Sequence, residues 1–308
     1  MNCRKLLAMD EYKKIIKNKN LRFLVLRFLR FVPSRPMLKI QYRVKFKRKL
    51  NLKNPERFTE KIQWYKLYYK NKLMPMCSDK YTVREYVRSK GLENILNELY
   101  CVFERPEDIS LSALPDKFVL KLSNASGANY ICTDKSAADE DELKQLFKNY
   151  CRLVKANAGR EWPYMKSKSV IVAEKLLEDL THYRNAVNDY KIFCFNGKPT
   201  YIICVSDRYT EHCNHLVYDT EWNKIDAASE GADLSKDVPK PENLPEMLDV
   251  AHRLSEDFPF ARIDLYSLAG KTIFGEITFY PWSGYMEYKP DSFDFELGRH
   301  FLLPEKRG

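Results

Sequence analysis

ARIDLYSLAGKTIFGEITFY, residues 261–280, decides how the rest of the chain is read. Apolar and polar residues alternate on both sides of Leu268-Ala269-Gly270, so the stretch predicts two strands, Ala261–Ser267 and Lys271–Phe279. A three-residue hairpin loop with Gly in its last, left-handed place suits the break. With Ser267 opposite Lys271, Asp264 faces Phe274 and Arg262 faces Glu276. Asp264, Glu276, Arg262 and Thr278 then share one face. Two carboxylates at diagonal cross-strand positions, roughly 7–8 Å apart at the backbone, can converge on hard divalent cations, and a neighbouring guanidinium can hold a phosphate. Charged residues on a hairpin are most often solvated or form surface ion pairs of little energy. Here Phe258-Pro259-Phe260 precede the hairpin and Phe279-Tyr280-Pro281-Trp282 close it, so the charges sit among apolar residues.

Outward from the hairpin, the 308 residues suffice for one large domain or two to three packed lobes. The net charge of +10 is unevenly spread. Residues 1–53 carry 17 Lys/Arg against Asp10 and Glu11, while the remainder carries 35 Lys/Arg against 40 Asp/Glu. Lys13 to Arg30 reads as an amphipathic helix ended by Pro33 and Pro36, and a second basic run follows at Arg43, Lys45, Lys47, Arg48 and Lys49. Such an arm can lie on an anionic membrane face or pack on the core with its cations solvated. No zinc, RNP or helix-turn-helix signature accompanies it, so no nucleic-acid partner is expected. No apolar run reaches the ~20 residues of a membrane span, and the start lacks the apolar core of a signal peptide, which predicts a cytoplasmic protein. Eight scattered cysteines without a CxxC pair read as reduced thiols.

Between arm and hairpin, Thr59-Glu60 introduces an aromatic-rich helix, and Asp79 reads as the cap of a second helix ending at Gly91. Leu99–Phe103 is a short strand. Phe118–Leu122 is a strand bearing Lys121; it runs into Ser123-Asn124-Ala125-Ser126-Gly127 and returns at Tyr130–Cys132. A small-residue loop between strands exposes backbone N–H groups to a phosphate, and the strand lysine adds a point charge. Residues 139–157 form an amphipathic helix, and Ser169–Ala173 is a buried strand leading into Glu174-Lys175-Leu176-Leu177. Asp189–Phe195 and Pro199–Val205 pair across Asn196-Gly197, with Asp207-Arg208 after them. Residues 223–243 read as an irregular loop, and Leu244–Asp257 as a helix beside the hairpin.

The order of these pieces resembles the ATP-grasp superfamily, and the wording is most similar to its teichuronopeptide-biosynthesis branch, found with surface-polysaccharide genes. The phrases that carry the likeness are Glu60-Lys61-Ile62-Gln63-Trp64, Asp79-Lys80-Tyr81, Lys121 with SNASG, Val172-Ala173-Glu174-Lys175, DYKIFCFNGKP at 189–199, RIDLY at 262–266 and FGEITFYPWSG at 274–284. The resemblance implies an α+β fold whose two lobes grip a nucleotide. Its regions would be a basic helical arm (1–53), a helical region (54–117), a small lobe with a phosphate flap (118–177) and a large lobe with the metal hairpin (178–308). It implies that Lys121 meets the phosphates of ATP and that Ser123, Asn124, Ser126 and Gly127 belong to the flap. Glu174, Lys175, Leu176 and Leu177 would hold the adenine. Lys191 would act at phosphate or acceptor, Arg262 on phosphate, and Asp264, Glu276 and Thr278 on two Mg2+ ions. Thr278 stands where many members of the superfamily place Asn, and Asn124 or Ala125 where the branch places a flap histidine. The implied reaction is ATP-dependent carboxylate–amine ligation on a sugar acid or amino acid, with a small-molecule or glycan acceptor that can be lipid-linked. A sugar kinase, a glycosyltransferase of the same pathway and a non-catalytic nucleotide-binding protein remain open alternatives.

Overall fold

The computed structural model describes residues 31–179, 187–207, 210, 212–229 and 232–305. The helix expected over Lys13–Arg30 and the residue Arg208 lie outside the described residues. The chain divides into two units: residues up to Lys70 together with those from Asp179 onward, and Asn71–Glu178. The stretch 54–117, read above as one region, is thus divided at Lys70, and its first part joins the C-terminal unit.

The smaller unit holds a four-stranded antiparallel sheet in the order β1-β4-β2-β3, formed by β1 (Leu99–Phe103), β2 (Phe118–Leu122), β3 (Asn129–Cys132) and β4 (Ile171–Glu174). Alternate residues of β2 and β4 face a core with Phe118, Leu120, Leu122, Phe147, Ile171 and Ala173. Phe147 comes from the long helix Glu140–Ala156, whose first turn is capped by Asp139 accepting from Asp141 N and Glu142 N. Asp79 does cap a turn: its Oδ1 accepts from the N–H groups of Tyr81 and Thr82, although the regular helix begins only at Val83 and runs to Ser89.

The larger unit is built on a seven-stranded antiparallel sheet, ordered β10-β9-β5-β6-β7-β8-β11. Its strands are β5 (Asp189–Phe195), β6 (Lys198–Ser206), β7 (Asn214–Asp219), β8 (Lys224–Ser229), β9 (Phe260–Leu268), β10 (Lys271–Thr278) and β11 (Tyr288–Lys289). The irregular loop expected over 223–243 is corrected here, because β8 pairs with β7 and β11. Neighbouring residues of β5 face opposite ways. Phe193 stacks toward Phe58 of helix α2 (Phe58–Tyr68), centroids 5.8 Å apart, and Phe58 also meets Phe260 at 5.0 Å and Phe301 at 6.2 Å. Cys194, on the other face, donates to the Ala251 carbonyl of α6 (Leu244–Ser255) at 3.7 Å.

Helix α1 (Ser34–Phe46) begins where the sequence reading placed a stop at Pro33 and Pro36. Proline lacks an N–H that the first helical turn leaves unpaired anyway, so here the prolines open a helix instead of closing one. Leu38 and Tyr42 of α1 pack with Leu52, Trp64 and Tyr285. Tyr42 Oη lies 2.9 Å from Thr59 Oγ1, and Thr59 donates from its amide and hydroxyl to Asp294 at 2.9 and 2.7 Å. Asp294 belongs to the C-terminal helix α7 (Ser292–His300), so one buried polar network joins three helices. Burial pushes the Asp294 carboxyl above its ordinary value, with the Thr59 hydrogen bonds pulling the other way.

The seven described cysteines are free thiols. Burial pushes the Cys194 thiol up to about 12. At pH 8.5 its thiolate fraction is then on the order of one in a few thousand. Labelling of the native chain with a thiol-specific disulfide reagent at that pH should leave Cys194 unmodified until denaturant is added; prompt labelling of Cys194 would show that α6 does not cover β5.

Candidate active site

The decisive hairpin closes through a two-residue loop, since Lys271 pairs with Leu268 and the loop residues Ala269 and Gly270 have φ of 49° and 72°. Positive φ at both central positions is the turn that matches strand twist. Further along, Gly275 is an extra residue in β10, and a Cβ there would stand 2.8 Å from the Asp264 carbonyl oxygen. The expected register is therefore corrected twice. Asp264 lies directly opposite Glu276, not Phe274, and Arg262 lies opposite Thr278, not Glu276. On the other side of β9, Lys191 of β5 is the cross-strand partner of Asp264. Lys191, Asp264 and Glu276 thus form one rung across three strands.

Side-chain contacts tie this rung to its neighbours. Arg262 grips Asp264 with two bonds of 2.6 Å, from Nε to Oδ1 and from Nη2 to Oδ2. Its Nη2 also reaches Glu276 Oε1 at 3.3 Å and Thr278 Oγ1 at 3.2 Å, and Thr278 donates to Glu276 at 2.9 Å. Lys191 Nζ bonds Asp264 Oδ2 and Asp189 Oδ2, both at 2.7 Å. Asp189, Lys191, Arg262, Asp264 and Thr278 are all buried, whereas the Glu276 side chain is 31% exposed. Glu276 is therefore the mouth of the cluster. Among the described residues, three carboxylates stand against two cations in this sheltered place. Burial pushes the Asp264 carboxyl above its ordinary range, opposed by Arg262 and then Lys191. Burial alone would lower the Arg262 guanidinium, but Asp264 and then Glu276 outweigh it and raise it.

A second set of predicted residues gathers in the smaller unit. Lys121 on β2 and Glu174 on β4 are diagonal neighbours, and Lys121 Nζ bonds Glu174 Oε2 at 2.6 Å. Arg84 adds a guanidinium 3.6 Å from Glu174 Oε1. After Lys121 the loop divides by role. Ser123 Oγ accepts from Val170 N, and Asn124 Nδ2 donates to the carbonyls of Tyr164 and Ser167, so these two side chains are buried in anchoring the loop. Ser126 and Gly127 form its exposed tip, with Gly127 at φ 68°. Lys80 holds the loop from outside: its N–H donates to Ser123 O at 2.9 Å and its ammonium to Ala125 O. No hydrogen bond to the backbone N–H groups of Asn124, Ala125, Ser126 or Gly127 occurs among the described residues. Backbone donors left open in succession suit an anion. Past β4, the Lys175 N–H donates to Glu98 O and its carbonyl accepts from Asn97, so its backbone is committed to the protein, while Leu176 and Leu177 are half-buried.

The loop after β10 bears on the acidic cluster. Trp282, Ser283 and Gly284 are successively left-handed, with φ of 47°, 53° and 67°, a conformation costly for two non-glycine residues. Helix α2 holds them there. Gln63 Nε2 donates to the carbonyls of Ser283 and Gly284 at 3.0 and 3.1 Å, and Lys66 Nζ to Ser283 O at 2.8 Å. The bend brings the Trp282 ring to 5.0 Å from the Arg262 guanidinium. Residues Glu60–Trp64 and Phe274–Gly284, separate phrases in the sequence, are thus two sides of one contact.

A family model described as TupA-like ATPgrasp matches residues 60–302. The chain belongs to this family. No curated protein matches it. Among solved structures, the D-alanine–D-alanine ligase of Bacillus anthracis complexed with ATP is 15% identical over 66% of this chain and 53% of the ligase, TM-score 0.37. That of Helicobacter pylori is 17% identical over 74% and 62%, TM-score 0.40, and the D-cycloserine synthetase DcsG 13% over 74% and 70%, TM-score 0.39. The chain spans little more than half the length of the Bacillus anthracis ligase. At these scores the assignment rests on the family model, which carries with it the α+β ATP-grasp fold.

ATP-grasp enzymes use ATP with Mg2+, and the donors present here fit that ion. Asp264, Glu276 and Thr278 offer only oxygen, as a hard ion requires. Among the described residues no group of three His, Cys, Asp or Glu in metal-holding geometry occurs. Magnesium takes one or two carboxylates and fills its remaining positions with water and phosphate oxygens. Asp189 is not among the residues that the sequence singles out for the site. Its signal was alternation, since Asp189 and Lys191 point to the same face of one strand, but only the pairing of β5 with β9 brings them to Asp264. Arg84, Lys80, Gln63, Lys66 and Trp282 likewise had no assigned role, because their partners lie 40 to more than 200 residues away in sequence or are met only through a bend in the chain.

Proposed function

We propose that the chain is an ATP- and Mg-dependent carboxylate–amine ligase acting on a sugar acid or amino acid in the assembly of a surface polysaccharide. The observation that carries this reading is the Lys191–Asp264–Glu276 rung, sheltered and braced by Arg262. Magnesium, when bound, would draw charge from the terminal phosphates of ATP. Asp264 and Glu276 present the oxygens for it, with two ions the expected number. Lys191 fixes Asp264 by bonding it together with Asp189, and Arg262 holds Glu276 and Thr278 in line with Asp264. In the smaller unit, Lys121 and the open amides at 124–127 are suited to phosphate, and Leu176 and Leu177 to the base.

In the reaction, a carboxylate oxygen of the acid attacks the γ-phosphorus and ADP leaves, giving an acylphosphate. An amine then attacks the acyl carbon, inorganic phosphate departs and the amine proton is released, leaving an amide. A screen of sugar acids and amino acids for acid-dependent ADP release, with hydroxylamine as trapping amine, tests the proposal. A hydroxamate that requires both ATP and the acid is the expected product. A stable phosphosugar would transfer the site to a kinase, and nucleotide-sugar consumption without ADP would overturn the ATP-dependent reading.

A further inference from the structure

We propose that the outward face of α1 is a docking surface for an anionic phospholipid bilayer. Leu38 and Tyr42 turn inward, and the opposite arc of about 140° at 100° per residue holds Lys39, Arg43, Ile40 and Val44. Lys39 and Arg43 form a row one turn apart, extended by Lys47 at the C-cap, and Ile40 and Val44 form a parallel row beside it. Ile40 is 56% and Val44 44% exposed, so two neighbouring aliphatic side chains stand in solvent beside the row of cations.

The charges divide in the same way. Lys45 and Arg48, nearer the body of the unit, are paired with Glu287 at 3.2 Å and Asp291 at 3.0 Å. Arg35, Lys39, Arg43 and Lys47 make no ion pair among the described residues, and α1 contains no acidic residue. The cations that the fold uses are neutralised, and those on the open face are not. Their row continues the excess of residues 1–53, 17 Lys/Arg against two acidic residues. Cations at headgroup level with aliphatic side chains beside them match an interfacial helix, in which the apolar side chains enter the acyl boundary and lysine stems reach back to the phosphates. A nucleic-acid backbone would satisfy the cations but offer nothing to Ile40 and Val44. No helix among the described residues is long and apolar enough to cross a membrane.

The proposal does not depend on the ligase reading, because vesicle binding requires no nucleotide and either can fail alone. The full chain is sedimented with phosphatidylglycerol–phosphatidylcholine vesicles and with pure phosphatidylcholine vesicles. Binding to the anionic vesicles only is expected. Lys39→Glu/Arg43→Glu should lower the partition coefficient at least about tenfold, and Ile40→Gln/Val44→Gln at least several-fold, with unchanged melting temperatures because all four positions are exposed. Wild-type partition by both variants, or absence of wild-type binding, would overturn the proposal. So would salt-sensitive binding to duplex DNA that is indifferent to Ile40 and Val44 while vesicles compete poorly.

Discussion

Replacing Glu276 by Gln is expected to lower acid-dependent ADP release at least about a hundredfold, the loss that follows removal of a principal stabiliser of transition-state charge. The side chain is the most open member of its cluster, and its Oε1 accepts bonds from Thr278 and Arg262 that an amide oxygen can also accept. The substitution therefore removes a charge while keeping the side-chain volume and these two hydrogen bonds, and the melting temperature should move little. Asp264→Asn would be a poorer probe. It would leave Arg262 and Lys191 buried with less negative charge, and breaking a buried pair of this kind costs roughly 3–5 kcal/mol. Near-normal turnover by Glu276→Gln would show that the metals are held elsewhere.

Gly284→Ala should destabilise the larger unit by about 2–5 kcal/mol, from the cost of a left-handed alanine and of overpacking combined. A Cβ at this position would stand 2.5 Å from Gln63 Nε2 and 2.6 Å from Ile62 Cγ2. Both belong to α2, which holds the loop by its carbonyls. Relief would push residues 282–284 off the helix and carry the Trp282 ring away from Arg262. Urea unfolding followed by far-UV circular dichroism measures the effect as a lowered midpoint. A midpoint equal to wild type would mean that the left-handed triplet is not how this loop sits.

Alternation and turn residues placed both strands of the 260–278 hairpin to within about a residue, and Asn196-Gly197, with φ of 50° and 78°, announced the β5–β6 hairpin correctly. The register was another matter. Ala269 occupies a positive-φ position where Asn or Asp would have advertised a two-residue turn, and Gly275 could be recognised as a bulge only once the Asp264 carbonyl was seen against it. Each slip moves cross-strand partners by one residue, enough to hide that Asp264 and Glu276 are opposite each other. Asp189 was missed for a related reason: strand pairing across 70 residues is a tertiary fact with no local signature. Helix α1 was missed because proline signals a helix start and a helix stop with the same letter. In the smaller unit, Lys121 and its loop were legible as a pattern, while the inward turn of Ser123 and Asn124 depends on acceptors and donors between 164 and 170.

The most direct measurement of the central claim is the affinity of the unmodified chain for ATP, determined by calorimetric titration in Mg2+ and again in EDTA. If the Lys191–Asp264–Glu276 rung holds metal on the nucleotide, binding should be at least about tenfold tighter with Mg2+. Equal affinity in the two buffers would contradict the account.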